Sequence, residues 1–240
     1  RFIFFIDDNI ASDHKALAEL CHALIPMKLS WISQASLDVT RNLPLMDLLQ
    51  RAGNWGNVMG FESITAESLR ETRKSPNIPG FAGYRDEVRI LRDHGMQSWA
   101  AFTLGYDHDT PESIAATVDF ALQSKFTFAA YNILMPYPNT PLYRKLEQEG
   151  RLLYGGKWWL HPEYRFNSAA YVPTRMSADE LTAACHAART RFNSLGSLLS
   201  RFADPKTHLR SASRIGAYWY YTLIFRKELY KKHGMRFGLR

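Results

Sequence analysis

Polar side chains stand where several apolar runs of this chain end, and their types suit the binding of a polar small molecule. Asp7 and Asp8 follow the apolar residues 2–6, and Glu62 closes another apolar run. Carboxylates accept hydrogen bonds from hydroxyl and ammonium groups, and such charge-assisted bonds are the strong kind. Further residues at or just beyond the ends of such runs are Gln34, Ser36, Gly105 and Met135. Together they predict a site for a ligand with hydroxyl groups and an ammonium group.

Each of these residues also has a purely structural interpretation. Asn9 or Ser12 could cap the helix after the first run, with Asp13 favouring its N-terminus, and Glu62 could simply precede a helix. The regular recurrence of polar residues at the ends of the runs favours a ligand site. No nucleophile–base pair in a recognisable context and no glycine-rich phosphate loop occurs, so hydrolase and nucleotide-kinase functions find no support.

The apolar runs are the elements that would position these residues. Five predicted strands, at 2–6, 29–36, 55–63, 96–105 and 126–135, alternate with helical patterns. This alternation is typical of a parallel α/β barrel or a doubly wound sheet. The first run has no polar break and predicts a strand buried on both faces. Because ligands bind at the carboxyl ends of parallel strands, the polar residues are expected to meet at one mouth.

The chain divides into a neutral body and a basic tail. Residues 189–240 hold 12 Lys and Arg against 2 acidic residues, whereas residues 1–188 hold 18 against 21. We predict a barrel over residues 1–150, a cover with a helix over 151–204, and a basic aromatic tail over 205–240. A capping-box pattern at Ser177 and Glu180 opens the helix of the cover.

The tail contains an apolar, aromatic stretch at residues 215–225 with basic residues on both sides. An eleven-residue helix rises only about 16 Å, so this stretch cannot span a membrane. It predicts either a helix packed on the barrel or a peripheral anchor of residues 205–240 on an anionic membrane. Nucleic acid is disfavoured, because the aromatic residues form one block and are not interleaved with basic ones. We expect a cytoplasmic protein, peripheral on the inner membrane face.

The two cysteines, Cys21 and Cys185, lie far apart, and each is followed by histidine. Neither has partners at metal-ligand spacing, which predicts no zinc or iron–sulfur site from this chain. The absence of a disulfide framework fits a reducing compartment.

Six segments taken together resemble the radical SAM superfamily. The resemblance is closest to the branch whose members usually carry an N-terminal cobalamin-binding domain, which includes hopanoid-modifying enzymes. The segments are Phe-Ile-Asp-Asp-Asn at 5–9, Trp-Ile-Ser-Gln-Ala-Ser at 31–36, Gly-Phe-Glu-Ser at 60–63, Phe-Thr-Leu-Gly-Tyr-Asp-His-Asp-Thr-Pro at 102–111, Asn-Ile-Leu-Met-Pro-Tyr-Pro-Asn-Thr-Pro-Leu-Tyr at 132–143 and Arg-Met-Ser-x-x-Glu-Leu at 175–181.

The resemblance implies a partial parallel (βα)6 barrel whose first strand is missing, with S-adenosylmethionine (SAM) lying across the strand ends. By position, Asp7 and Asp8 would lie near the SAM ammonium group, and Glu62 would contact the ribose. Gly105 and Met135 would flank the adenine, and Gln34 and Ser36 would line the mouth.

The resemblance also implies partners outside this sequence. The family's Cys-x3-Cys-x2-Cys loop follows its first barrel strand, and this chain begins at what would be the second. The expectation is an N-terminally truncated piece that is inactive alone. The full-length parent would hold a 4Fe-4S cluster and cobalamin and act on a small-molecule or lipid substrate.

Two other functions remain open at this point. One is a non-catalytic remnant that acts as a binding module. The other is a βα-barrel lyase that holds Mg2+ with Asp7, Asp8 and Glu62, since hard cations favour oxygen ligands.

Overall fold

The computed structural model describes residues 1–71 and 81–236. Its centre is a five-stranded sheet in which all neighbouring strands are parallel and follow one another in chain order. A doubly wound sheet reverses its strand order at a switch point, whereas a barrel wall keeps the order sequential. The predicted partial parallel barrel is therefore confirmed. The strands are β1 Phe2–Phe4, β2 Ser30–Gln34, β3 Asn54–Glu62, β4 Trp99–Leu104 and β5 Phe128–Ile133.

Helices connect the strands and cover one face of the sheet. Those up to and just beyond β5 are α1 His14–Leu24, α2 Leu43–Arg51, α3 Ala66–Glu71, α4 Phe81–Asp93, α5 Pro111–Gln123 and α6 Pro141–Gln148. The predicted caps of α1 are wrong, because Asp13 accepts hydrogen bonds from the backbone of Lys15 and Ala16. Asn9 instead accepts from the Ser36 backbone at 3.0 Å and so joins the β1 loop to the end of β2.

Side chains of each strand alternate between two faces. On the convex face, Trp31, Phe61, Phe102 and Tyr131 are fully buried against the helices. The concave face carries aromatic rings near the start of β4 and β5 and polar side chains near their ends.

The first strand is shorter than predicted, and the expectation that both its faces are buried is wrong. Phe2 and Phe4 are 44% and 47% exposed, and only the opposite face, with Ile3, packs on the core. The reason is position, since β1 forms the edge of the described sheet.

Three further helices follow the barrel strands: α7 Ala178–Phe192, α8 Leu195–Phe202 and α9 Ala212–Lys232. The capping box of Ser177 and Glu180 that opens α7 is confirmed. One side of α9 packs on the sheet, with the Phe225 ring 4.1 Å from Phe128 and 5.8 Å from Trp99. The tail therefore covers the concave face near the start of β4 and β5.

Candidate active site

Glu62 ends β3 in an uncommon backbone conformation. Its φ is +63°, in the left-handed region that side chains other than glycine rarely adopt. The register between β3 and β4 shifts between Gly60 and Glu62, and such irregularities re-aim a side chain at the rim of a sheet. The Thr103 hydroxyl donates a hydrogen bond of 2.9 Å to the Glu62 carboxylate. A strand end and its neighbour thus hold this carboxylate in place.

Thr103 continues the polar row to the next strand. It pairs in register with Asn132 of β5, so both side chains lie on the concave face. Asn132 is exposed. Neighbouring strands lie about 4.8 Å apart, so a row from Glu62 to Asn132 spans roughly 10 Å. We call Glu62, Thr103 and Asn132 the polar row.

A cavity of about 490 Å³ lies over two members of the polar row. Thr103, Asn132 and Asn167 contribute polar side chains to its wall, and the other lining residues are apolar or aromatic. Trp158 and Tyr164 are buried there with ring centroids 5.0 Å apart. The remaining lining residues are Ile133, Leu134, Met135, Tyr137, Phe166 and Asn167. The cavity fits a ligand with a polar part and a flat apolar part.

Gly105 forms the turn after β4 and has a φ of +102°. Its N–H donates to Asp109 at 2.8 Å, and its carbonyl accepts from the Tyr171 hydroxyl. A Cβ at this position would lie 2.4 Å from the Tyr171 oxygen. The conformation and the close approach both require glycine, so the structure gives Gly105 a turn-forming role. Its contact with a ligand stays a prediction.

Asp109 is the residue that fixes this turn, and the sequence analysis missed it. It is 4% exposed and accepts hydrogen bonds from the backbone of Gly105 and Tyr106 and from the Ser68 hydroxyl. Burial raises the pKa of its carboxyl, although these three donors act in the opposite direction. The only available signal was an acid four residues after a glycine, which is too common to be informative.

Asp107, in the same loop, joins the barrel to the cover. It accepts from Thr174 at 2.6 Å and pairs with Arg151 at 2.9 Å and with Lys145. Burial raises the pKa of its carboxyl, but the hydrogen bonds with these three partners outweigh burial and hold it well below its usual value. Its oxygens are thus occupied by residues of the chain itself.

The predicted residues on β1 and β2 lie further along the mouth. Asp7 and Asp8 are exposed in the turn after β1, two strands or roughly 10 Å from the end of β3. Gln34 ends β2 and is half-buried. Ser36 exchanges hydrogen bonds with the Asn9 side chain, so it anchors two loops to each other.

The described residues contain no group of three or more His, Cys, Asp or Glu that could hold a metal ion. The structure therefore does not gather Asp7, Asp8 and Glu62 into the site that a Mg2+-dependent lyase would need. Cys21 is buried on α1 and Cys185 on α7. Burial raises the pKa of the Cys21 thiol to about 11. Burial thus disfavours the thiolate of Cys21, which is the form of cysteine that ligates metals.

The fold and the site define a parallel βα half-barrel whose mouth presents a carboxylate beside an aromatic cavity. No protein-family model matches the chain. Comparison with curated proteins shows 28% identity over 177 residues to the bacteriochlorophyllide d C-12(1)-methyltransferase of Chlorobaculum tepidum, covering 74% of this chain and 37% of the relative. The hopanoid C-2 methylase of Rhodopseudomonas palustris is 28% identical over 160 residues, covering 63% and 30% respectively.

A third relative is the anaerobic magnesium-protoporphyrin IX monomethyl ester cyclase of Cereibacter sphaeroides, 24% identical over 75% of this chain and 29% of its own. Among solved structures, the radical S-adenosylmethionine methyltransferase TsrM of Kitasatospora setae, with cobalamin and a 4Fe-4S cluster bound, has a TM-score of 0.47 and 22% identity over 57% of this chain and 25% of its own. The chain spans about a third of the length of these curated relatives.

The homologues of this chain are radical SAM enzymes, which confirms the resemblance predicted from its strand-end segments.

Proposed function

We propose that this chain is the SAM-binding body of a radical SAM enzyme that depends on cobalamin. The observation that carries the proposal is the polar row beside the aromatic cavity. A carboxylate held by a hydroxyl donor suits the two hydroxyl groups of a ribose, and a cavity walled by Trp158 and Tyr164 suits a flat heterocycle. The homology to radical SAM enzymes supports the same ligand.

In this proposal, different residues of the chain contact different parts of SAM. Glu62 accepts hydrogen bonds from the ribose, and Thr103 keeps its carboxylate oriented. Asn132 and Met135 contact the adenine from the β5 side, where the cavity lies. Bound SAM supplies the methyl group or the radical that the reaction uses.

The other predicted contacts surround this centre. Asp7 and Asp8 approach the SAM ammonium group from the β1 side, where their exposed carboxylates are accessible. Gln34 and Ser36 line the mouth between them and Glu62. Gly105 shapes the turn beside the adenine.

Unlike SAM, the iron–sulfur cluster finds no suitable set of ligands among the described residues. Two buried thiols on separate helices cannot hold a cluster that needs several cysteine thiolates. In the proposal, the cluster and cobalamin belong to parts of a longer protein. The precedent is the curated relatives, of whose own length the match covers 37% and 30%.

The proposed substrate is a large and mainly apolar small molecule or a lipid, and the proposed reaction is methyl transfer. The printed names of two relatives describe methyl transfer to a bacteriochlorophyllide and to a hopanoid. The aromatic cover over residues 151–175 would provide a surface of matching polarity next to SAM.

The test is a calorimetric titration with SAM of the longer, cluster-bearing protein. Glu62→Ala should weaken SAM binding by about 1.5–3 kcal/mol, the value of a hydrogen bond to a charged group. Asp107→Ala should cost less affinity, because the Asp107 carboxylate is occupied by Lys145, Arg151 and Thr174.

The matched control is Glu67→Ala, which removes an exposed carboxylate from the first turn of α3. It should leave SAM affinity unchanged. Equal losses for the Glu62 and Glu67 variants would overturn the proposal.

A further inference from the structure

The outward side of α9 carries large apolar side chains in contact with solvent. Tyr220 is 63% exposed, Leu223 49%, Ile224 40% and Tyr230 50%. Their spacing places them on one side of the helix. The opposite side is used by the fold, with Tyr218 and Thr222 buried. An ordinary surface helix is polar on the side that faces away from the core.

The exposed apolar side chains extend toward α8. Trp219 borders Leu223 on α9, and its ring lies 5.1 Å from Phe202 of α8. Leu199 and Leu195 precede Phe202 by three and seven residues, so they share its side of the helix. They are 60% and 59% exposed. We call these six residues the outer surface: Leu195, Leu199, Tyr220, Leu223, Ile224 and Tyr230. Single exposed apolar residues are ordinary, but grouped ones mark a surface that docks on something.

Basic residues continue the outer surface along the C-terminal half of α9. Lys227 follows Leu223 by four residues and Lys231 follows Lys227 by four, so both lie on the same side as the apolar group. Both are exposed. Residues 205–236 hold eight Lys and Arg and a single acid, Glu228, which pairs with Lys232 at 2.9 Å. The field at this surface is therefore positive.

We propose that the outer surface docks on an anionic lipid bilayer. Tyrosine favours the headgroup level of a bilayer, and the leucine and isoleucine side chains would enter the boundary of the acyl chains. Lys227 and Lys231 would then face lipid phosphates. The inner side of α9 keeps its packing on Trp99 and Phe128, so docking requires no unfolding. This inference does not depend on the proposed binding of SAM.

The positive charge of the outer surface favours an anionic bilayer over a second copy of the chain as the partner of this surface. Two outer surfaces brought together would oppose their own lysines, and like charges at an interface are costly. The proposed contact is with the surface of the bilayer. In the described parts of the chain, no helix is long and apolar enough to cross a bilayer.

The experiment is flotation of the full chain with vesicles of phosphatidylcholine, with or without phosphatidylserine. The wild-type chain should float with the anionic vesicles, and its recovery should fall as salt is raised because salt screens exposed charges. Lys227→Glu/Lys231→Glu should lower the partition coefficient by at least roughly tenfold, since each lysine near an anionic surface contributes about fivefold. Leu223→Ser/Ile224→Ser should lower it by a similar factor.

The matched controls change exposed residues of the same types elsewhere. Met27→Ser/Leu43→Ser removes two exposed apolar side chains, and Lys15→Glu/Arg51→Glu reverses two exposed charges. Both should float like the wild-type chain. Circular dichroism would confirm that each variant is folded, and the salt and lipid dependence of the wild-type chain tests the proposal without any variant.

Two results would overturn the proposal. One is equal recovery of the wild-type chain on neutral and anionic vesicles, or none on either. The other is a concentration-dependent dimer in the absence of lipid that the outer-surface variants abolish, which would assign this surface to a second copy.

Discussion

The turn that carries Gly105 depends on a single buried carboxylate, and replacing it should destabilise the whole chain. One carboxylate oxygen of Asp109 accepts hydrogen bonds from two backbone N–H groups, at 2.8 and 3.1 Å. The other oxygen accepts a hydrogen bond of 2.8 Å from the Ser68 hydroxyl. Asp109→Ala removes all three acceptor contacts and leaves the two N–H groups buried.

The cost follows from these contacts. Each buried N–H left without a partner costs about 1–3 kcal/mol, so two cost about 2–6 kcal/mol. Part of this is recovered, because burial already penalises the charged form of Asp109, as its raised pKa shows. We expect Asp109→Ala to lower the free energy of unfolding by about 2–4 kcal/mol. Asp109→Asn keeps one oxygen for both N–H donors and should cost about 1 kcal/mol or less.

The assay is urea unfolding at pH 7, followed by far-UV circular dichroism and analysed by linear extrapolation. If the slope of the free energy of unfolding against urea is the same for the variant and the wild type, both expose the same surface on unfolding. The variant has then changed only in stability. The Asn variant serves as the control for the loss of charge. Equal stability of the Ala and Asn variants would refute this prediction, because the two hydrogen bonds donated by the backbone N–H groups would then contribute nothing.

Two further predictions concern the same turn and the tail. Gly105→Ala should lower the free energy of unfolding by at least about 3 kcal/mol. The φ of +102° at this position is strained for alanine, and the added Cβ would clash with Tyr171. A urea unfolding curve equal to that of the wild type would contradict this. Burial lowers the pKa of His208 from 6.5 to about 4. Between these two pH values, His208 is protonated in the unfolded chain but stays neutral in the folded chain. Stability should therefore be full above pH 6.5 and fall by about 3 kcal/mol as the pH is lowered toward 4. His208→Asn should flatten that part of the pH profile in thermal unfolding, and an unchanged slope would show that His208 is not its source.

Local signals in the sequence were sufficient for most of the fold. The apolar runs located all five strands, because strands buried on a helix-covered sheet need continuous apolar residues. A cap pattern located the start of α7 at Ser177, whose side chain accepts a hydrogen bond from a backbone N–H three residues away. Glu62 was found because it directly closes a strand.

The rest of the site depends on contacts between distant residues, which local patterns do not encode. Tyr171 reaches Gly105 across 66 residues of sequence, and the cavity wall comes from an irregular segment with no period to read. The exposure of β1 was also missed, because an apolar run looks the same at a sheet edge as at its centre. Likewise, the sequence of α9 left open whether its aromatic residues pack inward or outward, and the structure shows that they do both.

The most direct test of the central claim is a crystal structure of this chain soaked with millimolar SAM. We expect electron density for the ribose within hydrogen-bond distance of the Glu62 carboxylate, with the adenine in the cavity bounded by Met135 and Trp158. Density for SAM away from the polar row, or a cavity that stays filled by solvent at saturating SAM, would contradict the account.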